Sequence, residues 1–459
     1  MATSLAGIVR RLVRMKGRER SVALTVAVGL LTCQMLVALA LIPPWQQPDE
    51  TSSVARVEMQ RHQLDLLDDS PNDNREGEIL QSMNHYDWWE HRVSRGQPPP
   101  IIPKDFTSSS TVVGVVPALG VRSTTYFLIA GHVLSWFPRL SIVEDLYILR
   151  VLSAVFGMLT LWIAWLGARE CLGTLGGSTV ALLLALHPQF AVVSTTAGAD
   201  ALANLLGACM WWQTTLAVKR AQFLLPFAGV WCTAIVASST DRMAVPLLAI
   251  AFVVSGVVMA QRTTNAKRMI TVIFVALTLP AAAWILGTAG ESYGLGSVFS
   301  SSWLPVDEAR NWSFFGRFTS FVHQSWWFSL GWVRYAPPSW WAMIAVSLTA
   351  IAAVGTGRQL VDLGTPGALK RMFIALAVIA VALQASALYW IYFRLGNGAQ
   401  GKSLFPVLVP CLVLLWSGIE TWVPTRLRVH AAAALIVLLA LLDMAAWTLV
   451  ALPAYYASF

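Results

Sequence analysis

Apolar residues in this chain come in blocks of about 20, the length at which an α-helix crosses the hydrocarbon core of a bilayer. Inside a bilayer each backbone N–H and C=O has to be satisfied within the spanning structure, so blocks of this length fold as helices. Of the 459 residues 56% are hydrophobic and 12% charged, with a mean hydropathy of +0.61. A soluble domain carries about 25% charged residues, so a water-soluble enzyme is excluded. The net charge of +8 lies on the flanks of the apolar blocks and not on one basic face, which removes a nucleic-acid partner. Cys33, Cys171, Cys209, Cys232 and Cys411 lie in or beside apolar blocks, and no CxxC pair occurs. Neither a disulfide framework nor a thiolate zinc site is expected. The fold class is an all-α polytopic membrane protein.

Eleven spans are expected: Val22–Ile42, Leu146–Ala168, Ser178–Val193, Ala201–Ala217, Phe223–Ala237, Ala244–Met259, Thr271–Gly287, Trp340–Val354, Phe373–Ile391, Leu404–Trp416 and Ala431–Val450. Tyr126–Phe137 is too short to cross and reads as a juxtamembrane helix, as does Thr51–Leu67 with its mixed faces. With the N-terminus inside, the inner loops hold 17 basic residues against four acids, the bias expected of cytoplasmic loops. The chain then divides into a basic cytoplasmic segment (1–21), the first span (22–42) and a long extracytoplasmic loop (43–145) with juxtamembrane helices. Spans two to seven (146–287), a second extracytoplasmic loop (288–339) and spans eight to eleven (340–459) follow, with the C-terminus outside. The first span carries no cleavage signal and reads as a retained helix in the cell inner (plasma) membrane. No internal repeat appears, and no span shows the break that a transporter places near the midplane.

Three short constellations at outer span ends carry most of the chemistry. Pro48-Asp49-Glu50 follows the first span. Burial at a membrane rim raises a carboxylate toward the range of a general base; the competing reading is an acidic cap on the helix that starts near Thr51. Asp200, after Ser194-Thr195-Thr196-Ala197-Gly198-Ala199, is an ionisable group at the outer end of a span hairpin, a functional position unless it too is a helix cap. Gly396-Asn397-Gly398-Ala399-Gln400-Gly401-Lys402 opens the tenth span. A glycine-rich turn entering a helix offers backbone N–H groups to an anion, and a lysine adds a point charge; the plain alternative is a flexible loop with a snorkelling lysine. Arg150, Arg334 and Arg394 are further outer cations. His85-Tyr86-Asp87-Trp88-Trp89-Glu90-His91 holds metal-ligand types in no zinc spacing, and Gly290-Glu291-Ser292-Tyr293-Gly294 spells a nucleophile elbow without the strand that motif needs. The 21 tryptophans are mainly interfacial anchors, although indole faces also stack on sugar rings. Asp443, inside the last span, has no evident partner in the sequence.

Taken in order, Pro48-Asp49-Glu50, Leu149-Arg150, His187-Pro188 with Asp200, Ser329-Leu330-Gly331-Trp332, and Gln400-Gly401-Lys402 with Phe405-Pro406 resemble the GT-C membrane glycosyltransferases. The likeness extends over nearly the whole chain and is nearest to the bacterial family called domain of unknown function 2142, related to glycosyltransferase family 39. That family commonly has Gln-Gly-Arg-Tyr where this chain has Gln400-Gly401-Lys402-Ser403, which keeps the charge without the bidentate fork. Thr124-Thr125 stands where the family has Pro-Pro, and no histidine follows the Asp49-Glu50 pair.

The resemblance implies a GT-C fold and transfer of a sugar from a polyprenyl-phosphate donor to an extracytoplasmic acceptor (glycan, lipid or protein), with inversion. Asp49 would be the base, with Glu50 and Asp200 completing the catalytic set. Lys402, Arg150, Arg394, Gln400 and Gly401 would hold the donor phosphate. Trp88, Trp89, Trp332 and His187 are the candidate contacts to acceptor or sugar. No cofactor is assigned, and a divalent metal is left open. A lipid-linked polysaccharide polymerase or ligase, and a transporter or flippase, are the rival classes.

Overall fold

Residues 19–64, 75–88, 125–137, 140–220, 223–261, 312–331, 333–361, 367–395 and 400–456 are described in a computed structural model of the chain. Among them the structure is helical, with one isolated antiparallel bridge, Leu330 to Tyr335. The expected seventh span, Trp89, Trp332, the side chain of Arg394, the turn Gly396–Ala399 and the elbow-like Gly290–Gly294 lie outside the described residues.

The first span is α1 (Glu19–Leu41). After it come α2 (Glu50–Leu64), α3 (Arg75–His85) and α4 (Thr125–Ser135), which pack into a cap with its own core of Trp45, Val57, Met83, Trp88, Tyr126 and Leu134. Leu146, Leu149, Ala197 and Leu202 carry that core down onto the bundle. The cap is therefore fixed to the spans by shared apolar burial.

α5 (Ile142–Ala185) has 44 residues, too many for one crossing, and contains a non-helical residue at Gly173 with φ 77° and ψ −174°. A Cβ on Gly177 would lie 2.8–2.9 Å from Arg169 atoms. Eight residues of continuous helix span about 12 Å, so the chain folds back at Gly173, whose left-handed backbone only glycine adopts freely. The two arms are the expected second and third spans. Each residue from Thr179 to Gly198 is buried, the signature of a helix at the centre of a bundle.

The third span is broken, contrary to the expectation of unbroken helices. It stops at Leu186–His187 and resumes as α6 (Pro188–Ser194). Pro188 has no N–H to donate and pushes the preceding residue out of the helical region; His187 is extended at φ −89° and ψ 102°. Its Nδ1 accepts from the Phe190 N–H at 3.3 Å, so the new helix begins with a side-chain cap.

The bundle continues with α7 (Asp200–Lys219), α8 (Leu224–Thr240), α9 (Pro246–Gln261), α10 (Trp312–Trp327), α11 (Ser339–Val361) and α12 (Ala368–Leu395). A 3₁₀ segment, Gly401–Val407, leads into α13 (Leu408–Thr421). α14 (Arg428–Ala446) passes through a π-helical turn, Trp447–Ala451, into α15 (Leu452–Tyr456). Among the described residues six helical stretches are long and apolar enough to cross a membrane: Val22–Leu41, Ile142–Ala185, Ser339–Val361, Ala368–Tyr392, Gly401–Thr421 and Thr425–Tyr456. The expected fifth and sixth spans are apolar but shorter.

Helices in a bilayer gain little from the hydrophobic effect between them and associate through close packing and polar contacts. Both devices are present. A Cβ on Gly355 would overlap the Gly418 carbonyl, and one on Gly418 would overlap the Ala352 carbonyl, so α11 and α13 cross backbone to backbone. Asp443, which looked partnerless in the sequence, accepts from Gln34 Nε2 at 2.7 Å and Trp447 Nε1 at 3.1 Å, tying the last span to the first.

Candidate active site

The segment between α1 and α2 is shaped by Pro43, Pro44 and Pro48, none of which can donate to a continuing helix. Trp45 and Asp49 both have positive φ, 69° and 67°. Such backbone persists where the surroundings over-determine it. Trp45 is fully buried and donates Nε1 to Ser82 Oγ at 2.7 Å. Arg150, also fully buried, holds both ends of the segment. Its Nη1 and Nη2 donate to the carbonyls of Ile42 and Pro43, each at 2.9 Å. Its Nε and Nη2 grip Glu50 at 2.7 and 2.8 Å.

Glu50 also accepts from the Ala197 N–H at 3.4 Å, and Thr196 donates to Gln47. These bonds tie the first loop to the turn that starts α7. Asp200 is the first residue of α7; the cap position is Ala199, without a side-chain bond, so the capping reading of Asp200 is set aside. Tyr126 is buried behind the same turn. Burial, with the Glu50 and Asp200 charges adding to it, pushes its hydroxyl above the ordinary range, so it stays protonated.

The third component is the 3₁₀ segment that carries Lys402. The Gly401 N–H donates to Ser325 Oγ at 2.8 Å, and a Cβ on Gly401 would overlap the Trp326 amide. On the other side a Cβ on Gly207 of α7 would overlap the Pro406 carbonyl. Gln384 of α12 donates Nε2 to Ser403 O at 2.8 Å. Two glycines and one buried amide thus press the segment against α7 and α10.

The three components meet at one ammonium group. Lys402 Nζ lies 2.7 Å from Asp49 Oδ2 and 2.9 Å from Asp200 Oδ2, across 353 and 202 residues of sequence. The lysine side chain is 11% exposed, Asp200 23% and Asp49 64%. The cluster carries one net negative charge, with its cation inside and Asp49 facing out. The fold thus brings together Asp49, Asp200 and Lys402, three residues that the sequence motifs singled out separately.

Other expected site residues are placed differently. Glu50 and Arg150 form a fully buried bidentate pair and do not reach solvent, because the helix that starts at Glu50 turns this side chain inward onto α5. Arg150 is therefore occupied by protein acceptors and not presented to a phosphate. The Gly401 amide is spent on Ser325, so glycine serves there for close approach and not as an anion donor. Gln400 caps the 3₁₀ segment through its backbone, with no side-chain bond to the helix. Trp88 is buried in the cap core, and His187 is enclosed by Trp326, Trp327 and Phe405 at ring distances of 4.6, 5.6 and 5.5 Å. Neither is open to a sugar. Among the described residues no three His, Cys, Asp or Glu side chains gather as a metal site. Gln384, Ser325 and Gln189, which accepts from the Ser329 N–H at 2.7 Å, were not foreseen. A buried amide in an apolar span was the available signal for Gln384.

Beside the 3₁₀ segment, α10, α11, α12 and α13 line a partly open apolar cavity of about 780 Å³, with Thr349, Ala353 and Gly357 on its exposed side. Trp326 and Leu404 line the end near Lys402; Gly357, Leu360, Val378 and Leu415 line the remote end.

Residues 129–285 match the family described as dolichyl-phosphate-mannose-protein mannosyltransferase. No curated protein matches the chain. The family match contains Asp200 but neither Asp49 nor Lys402, which the fold brings to it from outside the matched region. The narrower bacterial family suggested by the motifs is not the one matched. Similarity over these residues supports a membrane glycosyltransferase of the GT-C type, the superfamily to which the ordered motifs also point.

Proposed function

We propose that this chain transfers a sugar from a polyprenyl-phosphate donor to a hydroxyl acceptor on the extracytoplasmic side of the plasma membrane, with inversion at the anomeric carbon. One observation carries the reading: a largely buried lysine, held by two aspartates, stands two residues before Leu404, which lines an apolar cavity among membrane helices. A lipid phosphate has both parts to match, an anionic head for Lys402 and a hydrocarbon tail for the cavity.

Asp49, the most exposed member, takes the proton of the acceptor hydroxyl. The acceptor oxygen forms a bond to the anomeric carbon from the face opposite the phosphate. The carbon–oxygen bond to phosphate breaks, its electron pair stays on the phosphate oxygen, and Lys402 stabilises the developing charge. Lys402 bonds both aspartates, and a phosphate that takes over its ammonium leaves the Asp49 carboxylate free to accept the proton. Asp200, less exposed, keeps the lysine in place and orients the acceptor. Glu50 and Arg150 serve as the buried brace beneath.

The break in the third span is the feature that a transporter would share. Its new helix end is already capped by His187 and enclosed by three aromatic rings, which favours a structural role. Native mass spectrometry of the purified protein tests the donor class. A co-purifying prenyl-phosphate lipid that is lost in Lys402→Ala is expected; a wild-type protein that retains no such lipid when it is supplied contradicts the reading.

A further inference from the structure

Two glycines of α11 lie two residues apart and have opposite surroundings. Gly355 is explained by the crossing with Gly418. At Gly357 a Cβ would meet no atom within 4 Å, and its φ is not positive. Neither close approach nor backbone conformation requires glycine there, and glycine inside a helix is less favourable than alanine. Gly357 is also the one glycine among the residues lining the cavity. The absent side chain leaves room at the cavity's remote end and serves no packing contact.

That end lies far from the charged cluster. From Lys402 to Leu415 the chain rises through five 3₁₀ steps and eight α-helical ones, about 22 Å in all. Thr356 donates to Leu414 O and Gln359 to Ser417 O, so Gly357 sits at the depth of Leu414–Ser417. Thr349, Ala353, Gly357 and Leu360 form one wall at helical spacing.

We propose that Gly357 is a chain-length determinant: it keeps the remote end of the cavity open, so that prenyl chains reaching beyond about 22 Å from the phosphate are accepted. The proposal rests on the lipid-phosphate reading of the site and adds to it which donors the site selects. A larger side chain at Gly357 closes the passage to a long tail, whereas a tail that ends short of it keeps its contacts.

The test uses full-length protein in nanodiscs and two probes without sugar, citronellyl phosphate and a long polyprenyl phosphate, with binding read by native mass spectrometry. Gly357→Leu is expected to lower the long-to-short affinity ratio about tenfold, the effect of losing contact with roughly two methylenes. Leu360→Trp, one turn along the same wall, is expected to shift the ratio in the same direction, so the test does not depend on a single variant. An unchanged ratio in both variants overturns the proposal, as does an equal loss for both tails. Sugar transfer is measured separately in wild type. If transfer fails while the ratio still shifts, the glycosyltransferase reading falls and the length determinant stands; if transfer persists with an unshifted ratio, only the length determinant falls.

Discussion

At the scale of single residues, charge sign at a membrane rim does not say whether a group is offered to a ligand or consumed by the fold. Asp49 and Glu50 are neighbours, yet the first is 64% exposed and the second fully buried against Arg150. The two positions make opposite predictions. Glu50→Gln leaves Arg150 charged and unpaired in the interior, so it should destabilise the protein by about 3–5 kcal/mol. The check is a lower melting temperature in detergent with loss of folded yield. A variant that folds as well as wild type but transfers nothing would return Glu50 to the catalytic set. Lys402 gives a second contrast. Lys402→Ala should weaken donor binding and slow departure of the phosphate together, while Lys402→Arg keeps the charge and should recover part of the activity. Donor titrations with both variants check this, and equal activity in the two would remove charge from the account. The sequence named Asp49, Asp200 and Lys402, because an ionisable group next to an apolar block stands out. It misplaced Arg150 because its partner, Glu50, lies 100 residues away and no local pattern announces the pair.

At the scale of elements, glycines set the distances on which the site depends. Gly401 lets the 3₁₀ segment press against Trp326, and Gly207 lets α7 press against Pro406. An alanine at Gly401 must displace the segment, and with it the neighbouring Lys402. Overpacking of this kind costs about 1–3 kcal/mol in stability, but a displacement near 1 Å at reacting groups can lower a rate about 10²-fold. Gly401→Ala is therefore expected to lose far more transfer per folded molecule than Gly355→Ala, whose close contact is the α11–α13 crossing. Rates normalised to folded protein decide, and equal losses in the two variants would show that the Gly401 contact does not position the lysine. Apolar block length made α1, α11, α12 and α14 legible, since a bilayer leaves little choice for such segments. The break at His187–Pro188 was visible as letters but not as a break, because the residues on both sides are equally apolar. The third and fourth expected spans flank Asp200, and in the structure that residue starts α7 after the short α6.

At the scale of the whole molecule, the cap and the bundle form two cores joined where the charged cluster lies. Leu146, Leu149, Ala197 and Leu202 belong to the cap core, while Phe405 and Val407, three and five residues beyond Lys402, belong to the bundle core. The site is thus a seam, and the orientation of the seam decides which side of the membrane is served. The basic bias of the expected inner loops is the ground on which the outer side is proposed. Exposed Gln81 on α3 and exposed Thr425 before α14 lie toward opposite ends of that topology. With the exposed Cys33 and Cys232 replaced, Gln81→Cys should react with an impermeant thiol reagent in intact cells and Thr425→Cys should not. Labelling at Thr425 alone would reverse the orientation.

The central claim is that Asp49 is the base of a lipid-linked sugar transfer, and one variant measures it most directly. Asparagine tolerates the left-handed backbone of position 49 as aspartate does, and it caps a helix equally well, so Asp49→Asn preserves the loop and α2 while removing the base. Transfer from a radiolabelled polyprenyl-phosphate sugar in nanodiscs should fall about 10²–10⁴-fold, with binding of the donor retained. A wild-type transfer rate in Asp49→Asn would contradict the account and leave Asp49 as a helix cap.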